Sequence, residues 1–276
     1  MMKSRNLLCI GASSAAANYY LGRSFVDFNI YGFSSIPHKF IPTYRYSDIA
    51  SISHLKFSKI IIFSSGVPSS CKYKDDYAHI NNSIKSILNN INLENVDLTY
   101  ISSFSVFNKN IDVICDHTPY SPDDLYGESK VDMEEYLLTS YAKISRQLNI
   151  LRLPVYLYKG VKNNFIGSAI DKIKKGDGIT LSNPEAFFYS VIDDRSLFLL
   201  DGRLDAGVNL INCSSNGDIK FKDIANLLKC YGAQGIKWVG SDRPSVKILP
   251  SPHLHSFFDG LSSSEIIQNW LISEKF

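Results

Sequence analysis

Short apolar runs recur along the chain, separated by stretches in which apolar residues return at a helical interval. The runs at 6–10 (NLLCI), 28–33 (FNIYGF), 60–63 (IIIF), 96–101 (VDLTYI), 150–153 (ILRL) and 208–211 (VNLI) lack strict polar alternation. Runs of that length predict strands covered on both faces. Between them, 80–91 and 127–144 place apolar residues at helical spacing and predict amphipathic helices. Strand–helix alternation of this kind predicts a parallel sheet with helices on both faces. No internal repeat, low-complexity tract or linker interrupts it.

Two patches carry candidate chemistry. The first is Ser102-Ser103-Phe104-Ser105-Val106-Phe107; the second is Tyr126-Gly127-Glu128-Ser129-Lys130. Residues four apart lie one above the other on a helix, so the spacing predicts Lys130 beside Tyr126. A free phenol titrates at about 10, and a neighbouring cation favours its ionised form. Ser121-Pro122-Asp123-Asp124 predicts the start of that helix, with Ser121 as N-cap and the acids at the positive end of the dipole. Ser103 closes the predicted strand before it, which brings a hydroxyl near the phenol. Spacing alone decides nothing: Tyr158 and Lys162 repeat it, but Gly160 lies between them and no helical pattern surrounds them. The plainer alternative for the second patch is a capped surface helix after an ordinary strand.

The first strand runs into Gly11-Ala12-Ser13-Ser14-Ala15-Ala16-Ala17 and a predicted helix. A strand, a small-residue turn and a helix N-terminus let a backbone approach a pyrophosphate closely. Against G-x-x-G-x-x-G, Gly11 is retained, and Ser14 and Ala17 stand at the other glycine positions. An ordinary strand–helix turn is the competing reading. After the second strand, Ser34-Ser35 replaces the acid that would hold a ribose diol. Ser34, Ser35, His38 and Lys39 suit a 2′-phosphate, which favours NADP over NAD.

Bulk properties narrow the classes. A chain of 276 residues holds one large domain or a domain with a small lobe, and 45% hydrophobic content is that of a globular protein. A formal charge of +2 without a basic stripe gives no reason for a nucleic-acid partner. The 5 cysteines (Cys9, Cys71, Cys115, Cys213, Cys230) are scattered and odd in number, which predicts reduced thiols rather than a disulfide framework or zinc site. His253 and His255 find nothing nearby to complete a metal shell, and no metal is expected. Lys172, Lys174 and Lys175 read as a solvated helix face, with an anionic substrate as the alternative use of the cluster. No apolar run reaches membrane-spanning length, and the first residues lead into a strand without a signal-peptide layout. A cytoplasmic protein without membrane association is expected.

These residues resemble the extended short-chain dehydrogenase/reductase family of nucleotide-sugar epimerases, dehydratases and dTDP-4-dehydrorhamnose reductase-like proteins. Tyr100–Phe107 is similar to that family's strand ending in Ser/Thr-x-x-Val-Tyr/Phe, and Pro122–Glu134 (PDDLYGESKVDME) to its Pro-x-x-x-Tyr-Gly-x-Ser-Lys-x-x-x-Glu helix. Asn149–Pro154 (NILRLP), Asn164-Phe165-Ile166 and Tyr189–Asp194 (YSVIDD) are similar to later segments, and Asp48-Ile49 to the pair that holds the adenine. The resemblance reaches to about residue 230.

The resemblance implies a Rossmann-like doubly wound α/β domain over 1–158 and 188–214, with a small substrate lobe over 159–187 and 215–276. It implies Tyr126 as acid–base, Lys130 as its tuning residue and ribose ligand, and Ser103 as holder of the substrate oxygen. Gly11, Ser13, Ser14, Ala17, Ser34, Ser35, Asp48, Ile49, Ser64, Ser65, Lys130 and Pro154 would contact the cofactor, and Ser103, Phe104 and Asn164 the substrate. Phe104-Ser105 stands where the family's dehydratases carry Asp-Glu, which disfavours dehydration, and Val155 replaces an asparagine that often touches substrate. The expected activity is NADPH-dependent reduction of a keto group on a nucleoside-diphosphate sugar, in surface-polysaccharide or deoxysugar synthesis, by a homodimer. Epimerisation with bound NAD is the alternative. A dinucleotide-binding sensor without chemistry is a reading of a different class.

Overall fold

The computed structural model describes residues 5–21, 27–38, 41–63, 73–108, 111–158, 160–161, 164–181, 183–188, 190–193, 204–215, 217, 219–240, 247–249 and 261–274. Two compact units divide the chain. The first comprises Met1–Val106, Tyr120–Arg152 and Leu197–Ile211; the second comprises Phe107–Pro119, Leu153–Ser196 and Asn212–Phe276.

In chain order, the elements through the first half are β1 (Arg5–Ile10), α1 (Ala15–Leu21), β2 (Phe28–Phe33), β3 (Thr43–Tyr44), β4 (Lys59–Ile62), α2 (Lys74–Asn89), β5 (Asp97–Ser103), β6 (Val113–Ile114) and α3 (Leu125–Tyr141). There follow β7 (Gln147–Leu153), β8 (Val155–Leu157), α4 (Phe165–Lys175), β9 (Ile179–Leu181), β10 (Phe187–Phe188), β11 (Val191–Asp193) and β12 (Gly207–Asn212). The last are β13 (Ile219–Lys220), α5 (Phe221–Cys230), β14 (Ile236–Trp238), β15 (Lys247–Ile248) and α6 (Ser263–Glu274).

A seven-stranded sheet in the order β12-β7-β5-β4-β1-β2-β3 dominates the first unit. From β3 to β5 every pairing is parallel: Leu7 faces Ile30 on one side and Lys59 on the other, and Lys59 faces Asp97. Side chains alternate between the faces of a strand, yet Leu7, Leu8, Cys9 and Ile10 are all fully buried. Both faces are therefore covered, which is why the run shows no polar alternation. One face packs Leu8, Ile10, Ile60 and Ile62 with Ile84 and Leu88 of α2 and Met133 and Leu137 of α3.

The chain leaves β1 towards β2 and β3, then returns to place β4 on the other side of β1. Such a reversal opens a crevice at the carboxyl ends of the two strands, where open α/β sheets take their ligands. Parallel strands share that edge, so Gly11 after β1, Ser34 after β2, Phe63 after β4 and Ser103 at the end of β5 lie along it.

The second unit has its own core, in which Leu157, Ile166, Val191, Ile224, Leu228, Ile266 and Leu271 pack together. Its sheets are two-stranded: β8 with β11, β9 with β14 and β6 with β15 run parallel, and β10 with β13 antiparallel. Among the described residues Cys9, Cys115, Cys213 and Cys230 are free thiols, no helix is long and apolar enough to cross a membrane, and no cluster suits a metal ion. Cys71, Lys162, His253 and His255 lie outside the described residues.

Candidate active site

Helix α3 carries the phenol and the ammonium, and its start is fixed by two contacts. Asp124 caps it, accepting the Gly127 N–H at 2.8 Å. Ser121, the predicted N-cap, lies one turn outside the helix, where its N–H donates to the Val106 carbonyl. Gly127 is the second contact. A Cβ there would come within 2.0 Å of the Ser105 carbonyl oxygen and 2.9 Å of Pro122 Cβ. Only a residue without a side chain lets the first turn of α3 rest on the short 3-10 turn Phe104–Val106 that follows β5.

That approach brings the three residues together. The Ser103 hydroxyl lies near enough to the Tyr126 phenol to favour its ionised form. Ser103 Oγ also accepts the Ser105 N–H at 3.2 Å. Lys130 is 1% exposed; its Nζ donates to the Ile101 carbonyl at 3.1 Å and sits 5.4 Å from the Tyr126 ring centre and 5.1 Å from that of Tyr100. Phe104 is buried beneath this turn.

The electrostatics differ from the expectation that the cation depresses the phenol. Burial raises the Tyr126 pKa above its ordinary value, the Ser103 hydroxyl pulls it back, and Tyr77 and Asp124 add to the rise. Burial lowers Lys130 to about 7, and Glu134 opposes that shift. Desolvation acts on both groups because the close helix–strand contact that joins them also excludes water. At neutral pH the phenol holds its proton and is poised to give it.

Beside the triad lies a buried network that spacing along the chain does not announce. Glu134 is fully buried and accepts from Tyr120 Oη at 2.8 Å, from Arg152 Nη2 at 2.8 Å and Nε at 3.1 Å, and from Ser102 Oγ in a short contact. Arg152 is 2% exposed and its guanidinium lies 5.2 Å from the centre of the Tyr120 ring. The signal was present: a lone charge in the strand run ILRL must find a partner once the strand is buried on both faces. Glu134, four residues beyond Lys130 on the same helix face, was the carboxylate to look for.

The turn after β1 is built for close approach. Gly11 has φ +80°, and a Cβ there would meet the Phe63 carbonyl oxygen at 2.3 Å. The Gly11 and Ala12 N–H groups donate to the Phe33 carbonyl at 2.9 and 3.1 Å. Ser14 Oγ accepts the Ala17 N–H at 3.1 Å, and Ala17 is fully buried. These are the small-residue parts of a dinucleotide turn: a tight bend, a helix start and close helix–sheet packing. The turn, at the crevice between β1 and β4, could hold a pyrophosphate.

Ser34 is 3% exposed; its hydroxyl pairs with Ser13 Oγ and accepts the Ile36 N–H at 3.2 Å. Both hydroxyls thus serve the turn itself, and Ser35 is exposed beside them. Asp48 is an exposed capping carboxylate, accepting the Arg45 N–H at 3.1 Å and the Ser47 hydroxyl at 2.9 Å, while Ile49 packs on the core. Pro154 and Asn164 belong to the second unit, where Asn164 caps α4 through the Gly167 N–H at 2.8 Å and donates to the Tyr156 carbonyl at 2.9 Å. Ser64, Ser65 and Lys39 lie outside the described residues.

No protein-family model matches this chain, and no curated protein matches it in sequence. Solved structures do match in fold. UDP-N-acetylglucosamine 4-epimerase from Bacillus cereus superimposes with a TM-score of 0.74 at 14% identity, covering 99% of this chain and 100% of its own. UDP-glucose 4-epimerase from Thermotoga maritima, solved with UDP-glucose, gives 0.79 at 12% identity over 97% of each chain. MoeE5, in complex with UDP-glucose and NAD, gives 0.76 at 13% identity, covering 98% of this chain and 100% of its own. The chain therefore has the Rossmann-like α/β fold of these proteins, with its hydroxyl, phenol and ammonium gathered beside the sheet's switch point.

Proposed function

We propose that this protein is a nucleotide-sugar epimerase of the extended short-chain dehydrogenase/reductase family, acting on a UDP-linked sugar with NAD. The observation that carries the reading is the meeting of Ser103, Tyr126 and Lys130 at the carboxyl edge of a sheet whose strand order reverses between β1 and β4. Proteins of the same fold over nearly their whole length are described as UDP-sugar epimerases. The turn from Gly11 to Ala17 is the part of the chain that would hold the dinucleotide. A nicotinamide dinucleotide held by that turn would supply a hydride acceptor that can also return the hydride.

The chain's own residues handle the oxygen. In its phenolate form Tyr126 takes the proton of a sugar hydroxyl as the hydroxyl becomes a carbonyl, and as the phenol it gives that proton back when the hydroxyl re-forms. Ser103 holds the same oxygen by hydrogen bond while charge develops on it. In its protonated form Lys130, 5.4 Å from the Tyr126 ring centre, would stabilise that phenolate against the desolvation that disfavours it.

Reduction, the leading expectation from sequence, becomes the second reading. One observation keeps it: the end of β2 carries Ser34-Ser35 in place of an acid, the arrangement that first suggested NADP. With Ser34 committed to the turn, NAD is the cofactor proposed.

The test uses purified protein with UDP-glucose or UDP-N-acetylglucosamine and NAD, with products resolved by NMR. The expected result is interconversion of the sugar with its 4-epimer and no net change in reduced nicotinamide. Tyr126→Phe should lower turnover by roughly 10²- to 10⁴-fold with cofactor binding retained. Steady loss of NADPH with a keto sugar would establish the reductase instead. Turnover unchanged in Tyr126→Phe would remove the catalytic reading altogether.

A further inference from the structure

Lys130 is almost completely buried, and an ammonium in such a place needs a compensating charge. Its hydrogen-bond partner, the Ile101 carbonyl, is neutral. The formal negative charge acting on it is that of Glu134, one helical turn further along α3. Three elements hold that carboxylate. Ser102 of β5 donates to it from the position next to Ser103, Arg152 of β7 from 2.8 Å, and Tyr120, ahead of α3, from 2.8 Å. One carboxylate thus ties the helix that carries Tyr126 and Lys130 to the strand that carries Ser103.

We infer that Glu134, anchored by Ser102, Tyr120 and Arg152, is a positioning residue that keeps the buried Lys130 ammonium protonated and in place beneath Tyr126. This rests on the proposed role of Lys130, but its test does not need the activity. Burial alone drives Lys130 towards the neutral amine, and the Glu134 charge is what opposes it. The other ionisable groups facing this pocket are Tyr100 of β5, Tyr126 and Asp132 of α3, Tyr120 ahead of α3, Arg152 of β7, and Tyr77 and Lys85 of α2. Tyr100 and Tyr126 have pKa values raised by burial and stay neutral through pH 8, and Asp132 is bonded to Lys85 and Asn81 on the α2 side. Glu134 is therefore the group whose removal moves Lys130.

The ionisation of Lys130 is read directly from the ¹³Cε resonance of labelled lysine in the whole protein, assigned with Lys130→Met. In Glu134→Gln, which keeps the shape and loses the charge, the midpoint should fall by about one pH unit or more. Glu134→Asp should restore part of that fall. Glu134→Gln leaves Arg152 buried without its carboxylate, so Glu134→Gln/Arg152→Met, which removes both charges, is measured beside it. Arg152→Met alone is the reference for that double variant, because the Arg152 cation repels the Lys130 charge as Glu134 attracts it; the midpoint should fall from Arg152→Met to Glu134→Gln/Arg152→Met. A midpoint unmoved or raised in Glu134→Gln, or no fall from Arg152→Met to the double variant, overturns the inference. A shifted midpoint in a protein that turns over no nucleotide sugar leaves the inference standing and counts against the proposed function alone.

Discussion

Lys130 is costly to the fold, and its pKa says in which pH range. Its folded-state value of about 7 lies below the ordinary 10.5, chiefly through burial. The sign follows from proton linkage: between about pH 7 and 10.5 the unfolded chain binds a proton that the folded chain does not, so this lysine makes stability rise with pH there. Below pH 7 the folded protein carries the buried cation and its contribution is least favourable. Lys130→Met should therefore be more stable than the parent at pH 6, by about 1 kcal/mol or ~2 °C in melting temperature. That advantage should shrink by pH 9 while activity is lost at both. Thermal melts at the two pH values check it; a Met variant less stable at pH 6 would show that the Ile101 hydrogen bond outweighs desolvation. Tyr126-x-x-x-Lys130 was legible in the residues, but the charge state was not, because desolvation depends on β5 and its turn, which sequence spacing does not contain.

Helix α3 is the element that assembles the site, and its register is set at its first turn. Gly127→Ala places a Cβ 2.0 Å from a backbone oxygen, which cannot rotate away, so the helix must move from the Phe104–Val106 turn. The expected cost is about 1–3 kcal/mol in denaturant unfolding, with a larger loss of turnover because Tyr126 and Ser103 separate. Asp124→Ala removes a cap of about 1 kcal/mol and should leave the turnover expected of the proposed activity nearly intact. Equal losses of turnover in the two variants would refute a special role for the close approach. Asn81 and Lys85 of α2 brace the same helix through the Ser129 carbonyl at 2.9 Å and the Asp132 carboxylate at 2.8 Å. The residues announced a helix start near 121–124, where Ser121 and Asp124 are both N-cap types. What chose Asp124 is the contact of Gly127 with Ser105, made between segments that are adjacent only after β5 and α3 have packed.

For the molecule as a whole, the sheet order predicts a gradient of protection. β1, β4 and β5 are hydrogen-bonded on both sides in the middle of seven strands, whereas β3 has two residues at an edge. Amide exchange should therefore be slowest in β1, β4 and β5 and markedly faster in β3, as read by exchange mass spectrometry. Protection in β3 equal to that in β1 would contradict the strand order. All six apolar runs read from the sequence are strands of this sheet; in β1, β4, β5 and β7 burial on both faces demands continuous apolar residues, whereas β2 and β12 are buried only towards their carboxyl ends. The small β8 to β11 and β13 to β15 pairings are too short to leave such a mark.

The sequence by itself determined the alternating α/β order, the strand ends, the Gly11 turn and the Tyr126–Lys130 helix, since each depends on local periodicity, spacing or a backbone angle. Tertiary structure alone decided that Ser34 closes a turn, that Asp124 rather than Ser121 caps α3, and that Glu134, Arg152, Ser102 and Tyr120 form one buried network. Those facts rest on contacts between residues up to 32 positions apart. Which hydroxyl or charge finds which partner is settled by strand order and helix approach, and burial then makes each such pairing obligatory.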